Sequence, residues 1–330
     1  MNDRCVNLLE NYEIDVLRTR KGRGALLCET DKGTFVLKEY KGNPEKCAFQ
    51  DAVISLIHDH GFTHTETFVR NKENELLTKD SDGSSYLLKT HVEGRECEVK
   101  DLQECCKVME TLGKMHRASL GAGGIPCPGS SISALQEFEK HNKELRRVRK
   151  FLKDKGQKND FEIYLMQCFD YFLECALKVA EEYEASRCRE QENGCCAISH
   201  GDFQHHNIIF SGKDFTIINF EKCGKGGPVK DIYLFMRKLL EKSNWQAETG
   251  FSLLAAYEKE SCLTKEDYMN LYYRLSYPEK FWKIVNYYYN APKSWIPGKN
   301  PEKLIKVTGQ EQEKIEFLSI FKEKYDIMSV

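Results

Sequence analysis

Long apolar runs are missing from this sequence of 330 residues. No uninterrupted stretch approaches the ~20 apolar residues that a membrane-spanning helix requires. The first residues, Met1 to Cys5, also lack the apolar core of a signal peptide. We therefore expect cytoplasmic synthesis and no membrane span.

The sequence also has no large excess of either charge, because it contains 49 lysines and arginines and 51 aspartates and glutamates. The basic stretch Arg146 to Lys150 lies on a predicted helix that also carries Glu137, Glu139 and Glu144, which indicates a solvated helix face. Nucleic-acid-binding domains instead concentrate positive charge on one surface. We predict no nucleic acid partner.

Two further absences concern metal and nucleotide motifs. The 14 cysteines form no C-x-x-C pair and no spaced cluster with histidine, so a zinc site is not expected and free thiols are. The adjacent Cys105 and Cys106 lie in a helical pattern with Met109 and Leu112, which favours core packing. The P-loop pattern G-x-x-x-x-G-K-[ST] does not occur either.

Short strands and turns dominate the first hundred residues. Segments 14–18, 25–29 and 34–39 predict an antiparallel meander, because glycine-containing turns separate them. A helix is predicted from Pro44 to Gly61, and further strands at 66–70, 75–79 and 86–91. This part of the chain is predicted to form a sheet that carries one helix.

From Asp101 onward the apolar residues recur at helical spacing. Asp101 and Glu104 have the spacing of a capping box. Helices are predicted at about 133–155, 160–185 and 229–242, of which the first two form a helical insertion at about 130–186. We therefore predict an N-terminal lobe over residues 1–95 and a helical C-terminal lobe over residues 96–330.

The most specific motif is H-G-D-x-x-x-x-N, in which Asp202 and Asn207 lie five positions apart on a loop that leads into a strand. In phosphoryl transfer a carboxylate such as Asp202 orients the acceptor and takes its proton. The amide oxygen of a neighbouring asparagine such as Asn207 can hold a magnesium ion that bridges the phosphates. The alternative is a structural turn with two polar caps. The strand context favours the catalytic interpretation.

This motif resembles the catalytic loop of the aminoglycoside phosphotransferase and choline kinase group. Six further segments are informative: FVLK at 35–38, VEGREC at 92–97, INFEK at 218–222, DIYLFMRK at 231–238, PEKFWKIVN at 278–286 and SWIP at 294–297. In these segments the chain is still more similar to CotS-type spore coat proteins, and that resemblance covers nearly the whole sequence. It implies an α+β, bilobal, protein-kinase-like fold with a small antiparallel sheet lobe and a large helical lobe.

The resemblance assigns Lys38 to the phosphates of the nucleotide, because a flexible ammonium on a rigid strand can reach them. The alternative is an exposed strand lysine. An acidic partner is expected on the following helix, where Asp51 has suitable spacing and Glu45 is the second candidate.

Gly22 and Gly24 occupy the position of a phosphate-covering hairpin, where glycine lets the backbone approach a phosphate closely. The alternative is a simple turn. By resemblance, Glu93 is grouped with the nucleotide-binding residues. Asp231 corresponds to the residue that helps to fix the catalytic loop, and it also suits the first turn of a helix.

One departure from the phosphotransferase pattern lies at Asn219, where active members of the group have a metal-binding aspartate. Asparagine keeps a neutral oxygen but loses a unit charge, which is worth on the order of a few kcal/mol at ~4 Å from a metal. Glu221 lies two residues further on and would share a face with Asn219 in an extended strand. The predicted metal ligands are therefore Asn207, Asn219 and Glu221.

Two functions remain open. The first is a spore coat or sporulation-associated protein whose degenerate phosphotransferase fold serves in binding or coat assembly. The second is an active, Mg-ATP-dependent phosphotransferase that acts on a small hydroxyl or amine compound or on a coat component. The resemblance implies ATP and Mg as cofactors, weakened by Asn219, other spore coat proteins as partners, and a final location in the spore coat. Whether the chain is an enzyme stays open.

Overall fold

A computed structural model describes residues 4–22, 24–129, 132–186, 188, 197–290 and 300–327. The chain divides into two compact units, which we call the first unit (residues 1–130 and 196–225) and the second unit (residues 131–195 and 226–330). The lobe boundary proposed at residue 95 stays a prediction. Within the described ranges, no helix is both long and apolar enough to cross a lipid bilayer.

The first unit contains the predicted antiparallel sheet. Its strands run in the order β1-β2-β3-β6-β4, and β5 also pairs with β6. β1 continues to Lys21 rather than ending at residue 18, because its pairing with β2 extends to Leu26. The strands are β1 (Val16–Lys21), β2 (Ala25–Thr30), β3 (Gly33–Glu39), β4 (Phe68–Val69), β5 (Leu77–Lys79) and β6 (Ser85–Thr90).

One face of this sheet packs against the N-terminal residues. Alternate side chains of β2 and β3, including Leu26, Cys28 and Leu37, are buried against Leu8 and Leu9. These two leucines belong to a short helical segment formed by α1 (Arg4–Asn7) and a 3₁₀ turn at Leu8–Asn11. The period of two along the strands thus places their apolar side chains in one core.

The predicted helix after the meander is α2 (Pro44–Asp59). It begins where the Asn43 side chain accepts a hydrogen bond from the Glu45 N–H, and Pro44 fills the first helical position. It ends just before Gly61, whose φ of +82° favours glycine. This prediction is confirmed.

The next helix is α3 (Leu102–Ala118). Asp101 caps it by accepting from the Glu104 N–H at 3.0 Å. The predicted capping box is only half formed, because the Glu104 carboxylate accepts from the Glu98 N–H at 2.7 Å and pairs with Arg95. The hydrogen bond from Arg95 lowers the pKa of Glu104.

Two small strand pairings frame the H-G-D motif. β7 (Arg95–Glu96), β9 (Ile208–Ser211) and β10 (Asp214–Ile217) form one sheet, while β8 (Ile198–Ser199) pairs with β11 (Gly224–Lys225). Gly94 lies so close to β9 that a Cβ atom would be 2.1 Å from the Phe210 carbonyl oxygen. Only glycine fits there.

The described part of the second unit is helical. Ser133 and Asn159 cap the first two helices, each within a complete capping box. Stacked aromatic rings fill the core, such as Phe138 on Tyr277 at 4.4 Å. The helices predicted at about 133–155, 160–185 and 229–242 are confirmed. Within the described residues, the helices of the second unit are α4 (Ala134–Asp154), α5 (Asp160–Ala185), α6 (Val229–Lys242), α7 (Ala247–Glu258), α8 (Lys265–Ser276), α9 (Glu279–Asn290), α10 (Asn300–Gly309) and α11 (Glu311–Lys324).

Candidate functional site

The H-G-D motif lies between β8 and β9 in the first unit. His200 is fully buried, and its Nε2 atom is 3.0 Å from the Ile218 carbonyl oxygen. Gly201 has a φ of +77°, and a Cβ atom there would be 2.2 Å from the Lys222 carbonyl oxygen. The loop is therefore held directly against the segment that follows β10.

Asp202 is buried and its carboxylate has two partners. Lys222 Nζ lies 3.0 Å from Oδ2, and Gln204 Nε2 donates to Oδ1 at 2.6 Å. Burial alone would raise the pKa of Asp202, but the hydrogen bonds from Lys222 and Gln204 hold the pKa below its ordinary value. Asp202 is thus ionised and already paired, which makes it a weaker base.

This pairing gives a testable pH dependence. A depressed folded-state pKa contributes stability that is present above the ordinary value of 3.8 and lost as the pH falls through the folded-state pKa. Lys222→Met should therefore raise the pKa of Asp202 and reduce that contribution. An NMR titration of the Asp202 carboxyl carbon checks the shift, with Lys230→Met, which removes one of the two cationic partners of Glu137, as the matched control. An unchanged pKa in Lys222→Met would contradict the assignment.

Lys38 lies on β3, and its Nζ atom pairs with Glu221 Oε1. The two side chains are 42% and 46% exposed, respectively. The acidic partner of Lys38 therefore comes from the segment after β10. The prediction of an acid on the following helix is wrong.

The two predicted partners of Lys38 have other contacts. Asp51 on α2 pairs with Arg70, and Glu45 lies in the first turn of α2 beside Asn43. Gln50, next to Asp51 in the sequence, is buried, and its Nε2 donates to the Glu221 carbonyl oxygen at 3.2 Å. The helix rotation thus directs an amide, rather than a carboxylate, toward this segment.

Asn207 and Asn219 are neighbours. Asn207 Nδ2 donates to the Asp202 carbonyl oxygen at 2.8 Å, and Asn219 Nδ2 lies 3.5 Å from Asn207 Oδ1. Asn219 has φ +72° and ψ +57°, a left-handed conformation that asparagine adopts more readily than most residues. Glu221 follows in a 3₁₀ turn at Phe220–Lys222, so the expectation that it shares a strand face with Asn219 is wrong.

Like Lys222, the partner of Asp202, Glu66 is a site residue that the sequence analysis missed. It is only 2% exposed, and its Oε1 accepts from the Asn219 N–H at 2.8 Å and from the Phe220 N–H at 3.4 Å. Its Oε2 lies 2.8 Å from Lys89 Nζ. A signal for this pair was available in the sequence, because each of the predicted strands 66–70 and 86–91 contains a charged residue, Glu66 and Lys89 respectively. Glu66 therefore supports the backbone of Asn219.

The predicted nucleotide-binding glycines lie at the turn between β1 and β2. The Gly22 N–H donates to the Ala25 carbonyl oxygen at 2.8 Å, and Gly24 has a φ of +72°. Glu93 is exposed and lies 3.4 Å from Arg20. Asp231 is fully buried in the first turn of α6, in the second unit. Nucleotide binding by Lys38, Gly22, Gly24 and Glu93 stays a prediction.

The donor atoms near the motif do not fit Mg²⁺ in their present arrangement. Each of the carboxylates of Glu66, Asp202 and Glu221 faces a lysine, and the amides of Asn207 and Asn219 face each other. Mg²⁺ requires near-octahedral oxygen ligands, usually with one or two free carboxylates. Across the described ranges, no three His, Cys, Asp or Glu side chains cluster as a metal site would require.

Sequence comparison relates this chain to spore coat proteins. The family model described as "Spore coat putative kinase YutH" matches residues 6–321. Spore coat protein S of Bacillus subtilis (strain 168) is 25% identical over 326 residues, which cover 93% of this chain and 89% of that protein. These matches agree with the CotS-type resemblance.

Structural comparison confirms the predicted fold class. An aminoglycoside phosphotransferase from Alicyclobacillus acidocaldarius has a TM-score of 0.85 at 17% identity, covering 98% of this chain and 96% of that chain. Spectinomycin phosphotransferase, solved with ADP and spectinomycin, has a TM-score of 0.66 at 12% identity, with 96% and 97% covered. At these identities the likeness shows the fold alone. The protein has an α+β, kinase-like fold and belongs to the YutH family of spore coat proteins.

Proposed function

We propose that this protein serves in the spore coat as a binding or assembly module, in which phosphoryl transfer is weak or lost. The observation that carries the proposal is the neutral pair formed by Asn219 and Asn207 at the predicted metal position. Membership of the YutH family and the similarity to Spore coat protein S support the coat location.

The missing charge at residue 219 outweighs the lysine pairings as an obstacle to catalysis. Releasing Glu221 from Lys38 costs little, because pairs between half-exposed side chains contribute only about 0 to 1 kcal/mol. A carboxylate absent from a metal site is worth on the order of a few kcal/mol, equivalent to several powers of ten in rate. Rearrangement of Glu221 is therefore feasible, whereas Asn219 cannot supply the charge.

Nucleotide binding without turnover is compatible with this arrangement. Lys38 and Lys222 are 42% and 65% exposed, so their ammonium groups can exchange a carboxylate partner for a phosphate. Lys89 is mostly buried against Glu66 and serves the fold. We propose that a nucleotide would contact Lys38 and Lys222, and that Gly22, Gly24 and Glu93 would lie beside it.

An active Mg-ATP phosphotransferase is the second candidate. The observation that favours this function is the buried, ionised Asp202, whose backbone carbonyl oxygen accepts a hydrogen bond from Asn207 Nδ2. This geometry suits a loop that orients the phosphoryl acceptor. It would act on a small hydroxyl or amine compound or on a coat component, and it would require metal binding by Asn207 with Asn219 or Glu221.

Calorimetric titration of ATP with and without Mg²⁺ tests the proposal. We expect the affinity of the parent chain to change less than about tenfold on adding Mg²⁺, whereas Asn219→Asp should gain at least about tenfold from the restored charge. Asn74→Asp is the matched control, because Asn74 also has a positive φ, of +63°, and is exposed. Tight, magnesium-dependent binding with ATP turnover by the parent chain would instead establish the second candidate.

A further inference from the structure

A cavity of about 260 Å³ lies within the second unit. Its walls come from α5, the C-terminal half of α6 with the residues just after it, the connection between α8 and α9 with the first turn of α9, and the helices α10 and α11. The volume is slightly below that of most drug-sized pockets, so it suits a small ligand. The apolar part of the wall is largely aromatic and includes Phe172, Trp245, Tyr277 and Phe281.

The charged part of the wall is mainly cationic. Seven lysine and arginine side chains line the cavity, against three glutamates. Within the described residues, four of these lysines have no carboxylate within ion-pair distance, namely Lys238, Lys242, Lys303 and Lys306. The glutamates already have partners: Glu241 faces Arg237 and Lys280, Glu279 faces Lys283, and Glu311 accepts a hydrogen bond from Tyr171. The wall therefore has an excess of unmatched positive charge.

Two of the cations are buried. Arg237 and Lys314 are only 8% and 6% exposed. Arg237 Nε has no hydrogen-bond partner among the residues that the structure describes. Lys314 Nζ donates to the Ser276 carbonyl oxygen at 2.9 Å and lies 5.7 Å from the ring centre of Trp245. Buried cations with incomplete partners are costly, and a bound anion would offset that cost.

We propose that this cavity binds a small organic anion, with an aromatic or aliphatic body against the apolar wall and one phosphate or carboxylate group facing the lysines. The ligand needs both parts. An apolar ligand alone would leave the lysines without an anionic partner, and an inorganic anion would leave the aromatic side chains without a contact. The site lies wholly within the second unit, so it goes beyond the proposed function and does not depend on nucleotide binding.

Phenyl phosphate is the probe that combines both features. Its binding to the full chain should be measured by calorimetry beside inorganic phosphate, which lacks the ring, and benzyl alcohol, which lacks the charge. We expect phenyl phosphate to bind at least about tenfold more tightly than either. Benzoate, tested in parallel, distinguishes a carboxylate from a phosphate as the preferred head group.

The variant Lys303→Gln/Lys306→Gln tests the contribution of these two lysines to anion binding, and we expect it to weaken phenyl phosphate binding by about tenfold. Lys303 and Lys306, like the control residues Lys140 and Lys143, are exposed, so both double variants should keep the unfolding midpoint of the parent chain. The matched control is Lys140→Gln/Lys143→Gln on α4, outside the cavity wall, which should leave binding unchanged. Absence of phenyl phosphate binding, equal binding of inorganic phosphate or benzyl alcohol, or an equal loss in the control would each overturn the proposal.

Discussion

Replacing Gly201 with alanine is expected to lower the free energy of unfolding by about 3 kcal/mol. The new Cβ atom would lie 2.2 Å from the Lys222 carbonyl oxygen, which belongs to backbone and cannot simply rotate away. The φ of +77° adds the cost of a left-handed conformation for alanine, about 1 kcal/mol. To relieve this clash, the backbone at residue 201 must move away from Lys222. Because Gly201 precedes Asp202, that movement should also separate Asp202 from Lys222.

Gly212→Ala is the matched control for this prediction. Gly212 also has a positive φ, of +65°, but a Cβ atom there meets no heavy atom within 4 Å. It should therefore lose only about 1 kcal/mol. Urea unfolding followed by circular dichroism compares the two variants, with the midpoint reporting stability at constant slope. An equal loss in both would contradict the close approach at Gly201.

The second large effect is expected at Glu66, where Glu66→Gln should lower the free energy of unfolding by about 3 kcal/mol. The substitution keeps the shape of the side chain but leaves the Lys89 ammonium largely buried without its carboxylate. It also weakens the hydrogen bond from the Asn219 N–H, because an amide oxygen is a poorer acceptor than a carboxylate. Urea unfolding gives the measurement.

Two further variants separate the causes of this loss. Glu66→Gln/Lys89→Met removes both members of the pair and should recover part of the stability, because the unpaired buried charge is then gone. Glu93→Gln breaks an exposed pair with Arg20 and should have almost no effect. If Glu66→Gln were as harmless as Glu93→Gln, the buried pair would not stabilise the first unit.

Local patterns were sufficient for most of the fold. The turns around Gly24 and Gly33 separate strands whose alternation places Leu26 and Cys28 in the core, and Pro44 marks the start of α2. Such signals depend on neighbours within a few residues, so they are legible in the sequence. Strand ends were less accurate, because the last pairs of a ladder, such as Lys21 with Leu26, depend on the partner strand.

The sequence by itself determined the kinase-like fold class, the H-G-D-x-x-x-x-N motif and the neutral residue at position 219. Only the tertiary structure decided that Lys38 pairs with Glu221, 183 positions away, and that Glu66 supports the backbone of Asn219, 153 positions away. The physical reason is that a charged side chain can pair with many partners of opposite sign. Which of them lies within ion-pair distance depends on how strands and helices pack, and the same applies to the cationic cavity of the second unit.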